Sequence, residues 1–287
     1  MDTVCPIRIA HSPDPDDAFM FHALTTNAFD TVPYTYTHVL DDIETLNQQA
    51  LAGEFEVTAV SIHALPEVLD RYALMNCGGS MGEGYGPIIV ARAPMTSEQL
   101  IGCRIAIPGE KTSAHLALKI AYGDLDTVVV PFDRIIDTVI AGDVDAGLLI
   151  HEGQLTWADH RLHLVADLGA WWQDRWGLPL PLGCNVVRRD LGQEACRIIT
   201  EHVRRSIEHG LAHPEAALTF AKRWGRGIDD ETNRKFVEMY VNPRTIDYGA
   251  EGRRAIRLFL REGQRVGMIS LELDVESLLF IGQPGDR

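Results

Sequence analysis

His151 is the residue whose type and setting most directly suggest chemistry. It closes the apolar run 146–150, Ala-Gly-Leu-Leu-Ile, and is followed by Glu152 and Gly153. A short apolar run bounded by turn residues reads as a strand buried on both faces, and ligands of open α/β sheets sit just beyond the carboxyl ends of such strands. An imidazole delivered there, with an ordinary pKa of about 6.5, exchanges a proton near neutral pH. Read alone, a strand-end histidine is more often a hydrogen-bonded structural residue.

Three further corners carry groups suited to holding an acid. His11 and Ser12 follow a strand at 7–10, and Ser61 ends a strand at 56–60. Thr112 and Ser113 open a helix at 114–122, after the strand 104–107 and the turn Pro108-Gly109. A glycine and then two hydroxyl residues at a helix start offer free amides, the positive end of the helix dipole and two hydroxyls, which together suit an anion. Helix capping by itself would also account for each hydroxyl. The phosphate-loop spacing G-x-x-x-x-G-K-[ST] is absent, so no nucleoside triphosphate is indicated.

Asp14, Asp16 and Asp17 fit the start of the helix 18–24, with Asp14 as N-cap, Pro15 at the first helical position and Asp17 three residues after the cap. Their spacing matches neither a calcium loop nor a zinc set, which argues against a metal site. Gly78, Ser80 and Gly82 spell G-x-S-x-G within a glycine-dense loop at 77–86. A strand at 88–92 follows rather than a helix, which argues against both a nucleophile elbow and a dinucleotide fingerprint.

The rest of the chain must position these corners. At 287 residues it is long for one core and suggests two lobes. The net charge of -15 argues against a nucleic-acid backbone or an anionic membrane surface as partner. The five cysteines are scattered, with no Cys-x-x-Cys, as in a reduced, cytoplasmic protein. No secretion signal is legible at the N-terminus, and no segment approaches the roughly 18 apolar residues of a membrane span.

Alternating strand and helix patterns run as far as about residue 188. A second strand is expected at 32–40, and a helix at 41–51 with Asp41 and Glu44 as a cap pair and Gly53 as its stop. Trp171, Trp172 and Trp176, with the prolines of 177–183, read as a turn whose aromatic cluster packs as core, the commoner case, or forms a stiff wall over a cavity. Beyond Leu191 the pattern is helical, at 193–211, 214–224, 231–241 and 248–266, and these helices are expected to pack back on the first lobe. The tail beyond Gln283 is expected to be loose. Residues 1–94 with about 200–287 form the larger lobe in this reading, 95–199 the smaller, and 91–100 a crossover. Ser12, Ser61, Thr112 with Ser113, and His151 then contribute two corners from each lobe to one cleft. The implied fold is α/β, two-lobed and type II periplasmic-binding-protein-like, with a ligand cleft between the lobes.

Particular blocks carry a closer resemblance. His11-Ser-Pro-Asp14, Leu40-Asp-Asp-Ile-Glu-Thr-Leu-Asn47, Gly86-Pro-Ile-Ile-Val-Ala-Arg92, Ile150-His-Glu152, Asp167-Leu-Gly-Ala-Trp-Trp172 and Gly177-Leu-Pro-Leu-Pro-Leu-Gly183 resemble the 1,4-dihydroxy-6-naphthoate synthases of the futalosine route to menaquinone. The resemblance implies a cofactor-independent carbon–carbon lyase that converts cyclic dehypoxanthinyl futalosine to 1,4-dihydroxy-6-naphthoate and dihydroxyacetone. It makes His151 the proton acceptor, uncharged near pH 7, and places substrate contacts on Ala59, Val60, Ser61, Thr112 and Ser113. Some members carry Ser-Pro-Cys-Pro-Asn-Asp-Thr in the first loop, where this chain has Ser-Pro-Asp-Pro-Asp-Asp-Ala. The partner so implied is a small-molecule carboxylate. Two other readings compete: a chorismate dehydratase of the same fold and pathway, and a solute-binding protein that captures a small carboxylate without chemistry.

Overall fold

Apolar runs alternating with helices build two sheets, seen in a computed structural model that describes residues 5–224 and 229–282. The strands in chain order are β1 (Cys5–His11), β2 (Tyr34–Leu40), β3 (Val57–Ser61), β4 (Tyr72–Met75), β5 (Ser80–Gly82), β6 (Ile88–Ala91), β7 (Arg104–Ile107), β8 (Asp126–Val129), β9 (Ala146–Leu149), β10 (His163–Asp167), β11 (Leu180–Arg188) and β12 (Phe280–Ile281). The helices are α1 (Pro15–Thr25), α2 (Ile43–Ala52), α3 (Leu65–Val68), α4 (Ser113–Tyr122), α5 (Ile135–Ala141), α6 (Gly153–Thr156), α7 (Leu168–Trp176), α8 (Gln193–Ala212), α9 (Pro214–Ala221), α10 (Asp230–Tyr240), α11 (Pro243–Ile246) and α12 (Gly249–Arg265). One sheet runs β12-β4-β11-β3-β1-β2, with β5 paired to β11, and the other runs β10-β6-β9-β7-β8.

The strand pairings move the lobe boundaries. β6 pairs with β9 and β10, so the chain has already entered the second sheet by Ile88, before the crossover expected at 91–100. β11 pairs with β3 and β4, so it returns to the first sheet by Leu180 rather than near 200. The assignment of 1–94 and 95–199 is corrected accordingly. Its error lay in taking Pro94, Thr96 and Ser97 for the linker, although the apolar run before them completes a strand in the second sheet. The true crossing passes close to its neighbours. A Cβ on Gly82 or on Gly169 would overlap the Tyr85 carbonyl, so both positions accept only hydrogen.

α1 is buried on nearly every side: it packs against α8, α9 and α10 and hides Phe19, Met20, Phe21 and Leu24. α2 begins at Asp42, not Asp41, because the Asp42 carboxylate accepts from the amides of Glu44 and Thr45 at 3.0 and 3.1 Å. Gly53, with φ 74°, ends it in the left-handed conformation. A single apolar cluster spans both sheets. It joins Val60, Leu74 and Val186 of the first to Ile89, Ile105 and Leu148 of the second through Leu116, Trp172 and Phe259.

The segment expected as an aromatic turn is a helix. Asp167 caps α7 by accepting from the amides of Gly169 and Ala170 at 2.8 and 3.0 Å. Trp172 is fully buried, packs edge-on against Phe259 at 5.3 Å between centroids, and donates from Nε1 to the Pro179 carbonyl at 3.1 Å. It is core, not the wall of a cavity. The run after it is the start of β11, with Pro181 beside an irregularity in the β5 pairing that accommodates its missing amide hydrogen. The tail beyond Gln283 lies outside the described residues. Among the described residues no helix is long and apolar enough to cross a membrane. Replacing Trp172 by Ala removes a ring joining both sheets, and is expected to cost about 3–5 kcal/mol, read as a fall in unfolding free energy by denaturant titration.

Candidate functional site

A cavity opens where the turns after β1, β3, β7 and β9 meet. Its lining comes from Ser12, Asp14, Asp16 and Asp17 at the start of α1, Ala59, Val60 and Ser61 at the end of β3, Thr112, Ser113 and Ala114 at the start of α4, and Ile150, His151 and Gln154 after β9. Ile43, Gly78, Ser80, Pro87, Leu182, Gly183, Cys184, Phe236 and Tyr240 complete it. Of the residues singled out by sequence, Ser12, Ala59, Val60, Ser61, Thr112, Ser113 and His151 line this one cavity. His11 does not. Its ring stacks on Phe21 at 4.5 Å, its Nε2 lies 3.1 Å from His38 Nδ1, and its Nδ1 meets the Ser12 carbonyl at 2.9 Å. Burial, with His38 beside it, pushes its pKa down to about 3, so this histidine is a neutral packing element. Strand alternation explains the correction: in β1 consecutive side chains face opposite ways, and His11 faces α1.

The turn after β9 gives His151 a φ of 54°, in the left-handed region that a non-glycine residue enters at a cost on the order of 1–3 kcal/mol. Nδ1 then lies 2.7 Å from Asp14 Oδ2. Asp14 is held in turn by Ser12, whose hydroxyl lies 2.6 Å from the same oxygen and 2.7 Å from Asp17 Oδ2, while the Ser12 amide donates to Asp17 at 2.9 Å. Asp14 thus occupies the N-cap position without capping; its side chain accepts from no amide of α1. The hydrogen-bonding pattern sets the Gln154 amide so that its nitrogen donates to Tyr240 Oη at 2.7 Å and to the Gly86 carbonyl at 2.6 Å, and its oxygen accepts from the His151 amide at 3.2 Å.

The charges here are unbalanced. Burial by itself would lower the His151 pKa, but the Asp14 carboxylate, supported by Glu152 and Asp16, outweighs it and lifts the value to about 8. The ring expected to be uncharged at neutral pH is therefore largely protonated there in the unliganded site. Burial, and then Asp17 and Asp14, hold the Asp16 carboxyl well above the usual range. Burial also raises Asp17, to about 6, although bonds from Ser12 pull the other way.

At the opposite wall, Thr112 caps α4, accepting from the His115 amide at 3.3 Å and donating to the Gly109 carbonyl at 2.8 Å. Ser113 Oγ donates to the Leu182 carbonyl at 2.5 Å and accepts from the His63 amide at 3.3 Å. The amides of Ser113 and Ala114 have no acceptor among the described residues, so the helix start offers two donors to an anion. Asn47 braces Ser61, accepting from its amide at 2.8 Å and donating to its hydroxyl at 3.1 Å. Glu44, expected as a capping partner, accepts instead from the Lys111 amide at 3.1 Å and ties α2 to the turn before α4.

Sequence reading missed the acidic side of the cavity because the three aspartates satisfied a capping pattern. The available signal was their surplus: one cap needs one carboxylate. Ser80, Gln154, Phe236 and Tyr240 were also missed. Gln154 lies three residues beyond His151, within reach on the same turn, whereas nothing local distinguishes Phe236 or Tyr240 from ordinary apolar positions of α10.

The family model described as menaquinone biosynthesis matches residues 7–265. The chain belongs to that family. A 1,4-dihydroxy-6-naphthoate synthase from Thermus thermophilus is 42% identical over 262 residues, covering 91% of this chain and 95% of the relative. One of the same name from Streptomyces coelicolor is 35% identical over 269 residues, covering 92% and 94%. These matches make the chain an enzyme of menaquinone biosynthesis, as the resemblance of its sequence blocks implied. The crystal structure of an Archaeoglobus fulgidus protein superposes with TM-score 0.88 at 44% identity, covering 92% of this chain and 98% of that one. The alkanesulfonate-binding protein of Xanthomonas axonopodis pv. citri, bound to MOPS, superposes with TM-score 0.74 at 13% identity over 98% and 100% of the two chains. That likeness places the family's fold among periplasmic-binding-protein-like architectures.

Removing the surplus charge has a calculable sign. Asp16 has a folded-state pKa raised above its unfolded value, so it favours the folded state only when protonated and opposes it as pH rises. Asp16→Asn is expected to raise Tm at pH 8 by about 2 °C or more. The gain should shrink as pH falls and vanish below the ordinary carboxyl pKa of about 3.9, where Asp16 is protonated in either state; a gain independent of pH would contradict the assignment.

Proposed function

We propose that this chain is a lyase that converts cyclic dehypoxanthinyl futalosine to 1,4-dihydroxy-6-naphthoate and dihydroxyacetone, with His151 as general base and neither metal nor organic cofactor. The observation that carries this reading is the placement of His151 in the cavity, across from two free amides and a row of hydroxyls. The names of the relatives support the product.

The chemistry asks for two things, and the site offers groups for both. A substrate carboxylate would sit on the amides of Ser113 and Ala114, near the hydroxyls of Thr112, Ser113 and Ser61 and the backbone of Ala59 and Val60. The other end of the substrate would then face His151. With Nδ1 committed to Asp14, the neutral ring presents its lone pair on Nε2, which accepts the proton from a ring carbon. The electron pair left behind drives cleavage of the bond to the three-carbon fragment, and aromatisation of the bicyclic product makes the step favourable. Ile43, Leu182, Phe236 and Tyr240 supply apolar surface for a fused ring.

The partner in this reading is a small carboxylate, and the setting is the cytoplasm, in keeping with five scattered cysteines, three of them buried. Purified protein offered the cyclic futalosine derivative should release the naphthoate, and His151→Ala or His151→Asn should lower turnover by roughly 10²–10⁴-fold with the fold intact. Retention of more than about a tenth of the activity would refute the base role. A base must be neutral to act, so kcat/KM should rise with pH through about 8 and level off above it.

A further inference from the structure

Asp14 has the position of a helix cap and the contacts of something else. Its carboxylate is buried, turns away from the amides of α1, and lies 2.6 Å from Ser12 Oγ and 2.7 Å from His151 Nδ1. The two ends of the His151 contact come from different sheets, Asp14 following β1 and His151 following β9. No other side chain bonds the imidazole among the described residues; the Phe132 ring packs edge-on against it at 4.9 Å between centroids.

Resting on the reading of His151 as the base, we propose that Asp14 is its positioning residue: by accepting the Nδ1 proton across the cleft, it fixes the tautomer and the aim of the ring and sets the pH at which Nε2 becomes a base. Ser12 fixes the acceptor, because one hydroxyl contacts both Asp14 and Asp17 and a bent Asp14 would lose it. The backbone alone does not fix the imidazole, since a left-handed turn leaves the side-chain torsions free. A ring without the carboxylate would exchange tautomers and place the lone pair on either nitrogen.

The other groups facing the ring do not replace Asp14. Asp16 and Asp17 approach from the first turn of α1, Glu152 from the histidine's own turn, and Tyr240 from α10 by way of Gln154. All of these remain when Asp14 is altered. The Asp14 contribution can therefore be read as a difference. An opposite charge within hydrogen-bonding distance moves a titration by about 1–3 pH units.

The test uses the full chain without ligand. Histidine-selective ¹³C NMR titration of the wild type and D14N follows His151, whose resonance is identified by its loss in H151N, and kcat/KM for naphthoate release is measured against pH in parallel. The wild-type ring should titrate near pH 8, and in D14N both the ring and the rising limb of kcat/KM should move toward acid by about 1–3 pH units. A His151 titration that stays in place in D14N overturns the proposal, as does a pH limb that stays in place while kcat falls, the mark of a merely structural part. D14S makes the same comparison, with the same two outcomes, if D14N does not fold. Wild-type protein that releases no naphthoate would defeat the functional reading instead, and the NMR arm would still decide whether Asp14 governs the ring.

Discussion

One ion pair, His151 Nδ1 to Asp14 Oδ2 at 2.7 Å, joins the turn after β9 to the turn after β1. Every other feature of the acidic wall follows from accommodating it. A carboxylate brought out of water needs partners, and Ser12 supplies one while bracing Asp17 at the same time. The histidine turned toward that carboxylate has a left-handed backbone, and its amide donates to the Gln154 oxygen. The ring then carries a proton at neutral pH because its nearest neighbour is an anion, although its burial opposes the charge.

The same wall has more acid than base. Asp14, Asp16 and Asp17 face a single imidazole in a chain whose net charge is already -15. Desolvation, and after it mutual repulsion, answer the excess by holding Asp16 and Asp17 above the usual carboxyl range. Such arrangements oppose folding and persist where a site needs acid and base side by side. The far wall has the opposite character, with backbone amides at the start of α4 and neither lysine nor arginine among the residues lining the cavity. An anion is met there by dipoles, a means of attraction that works at contact and leaves the long-range field of the protein unchanged.

How much of this was legible depended on whether the signal was local. The end of an apolar run at His151, the hydroxyl pair at Thr112 and Ser113, and the helices beyond Leu191 are short-range patterns, and they led to elements close to those observed. The sheet to which a strand belongs is not local. β6 and β11 read correctly as strands, but their partners lie dozens of residues away, so the lobe boundaries were misplaced. The aspartates failed for a different reason: capping and ion pairing want the same residue at the same place, and only the position of His151 in space distinguishes them. Trp172 was left open between core and cavity wall, since a tryptophan beside prolines looks the same whether it faces a ligand or Phe259.

The apolar cluster shared by both sheets limits what the cleft can do. Its members run without a break from Val186 to Leu148 by way of Trp172 and Leu116, and parting the sheets along that side would expose all of them to water. Exchange of small molecules must therefore use the other side, where the fastening consists of polar contacts such as Asp14 with His151 and Gln154 with Tyr240. The molecule is a book with a greased spine and a few clasps, and widening the cleft means parting those clasps together.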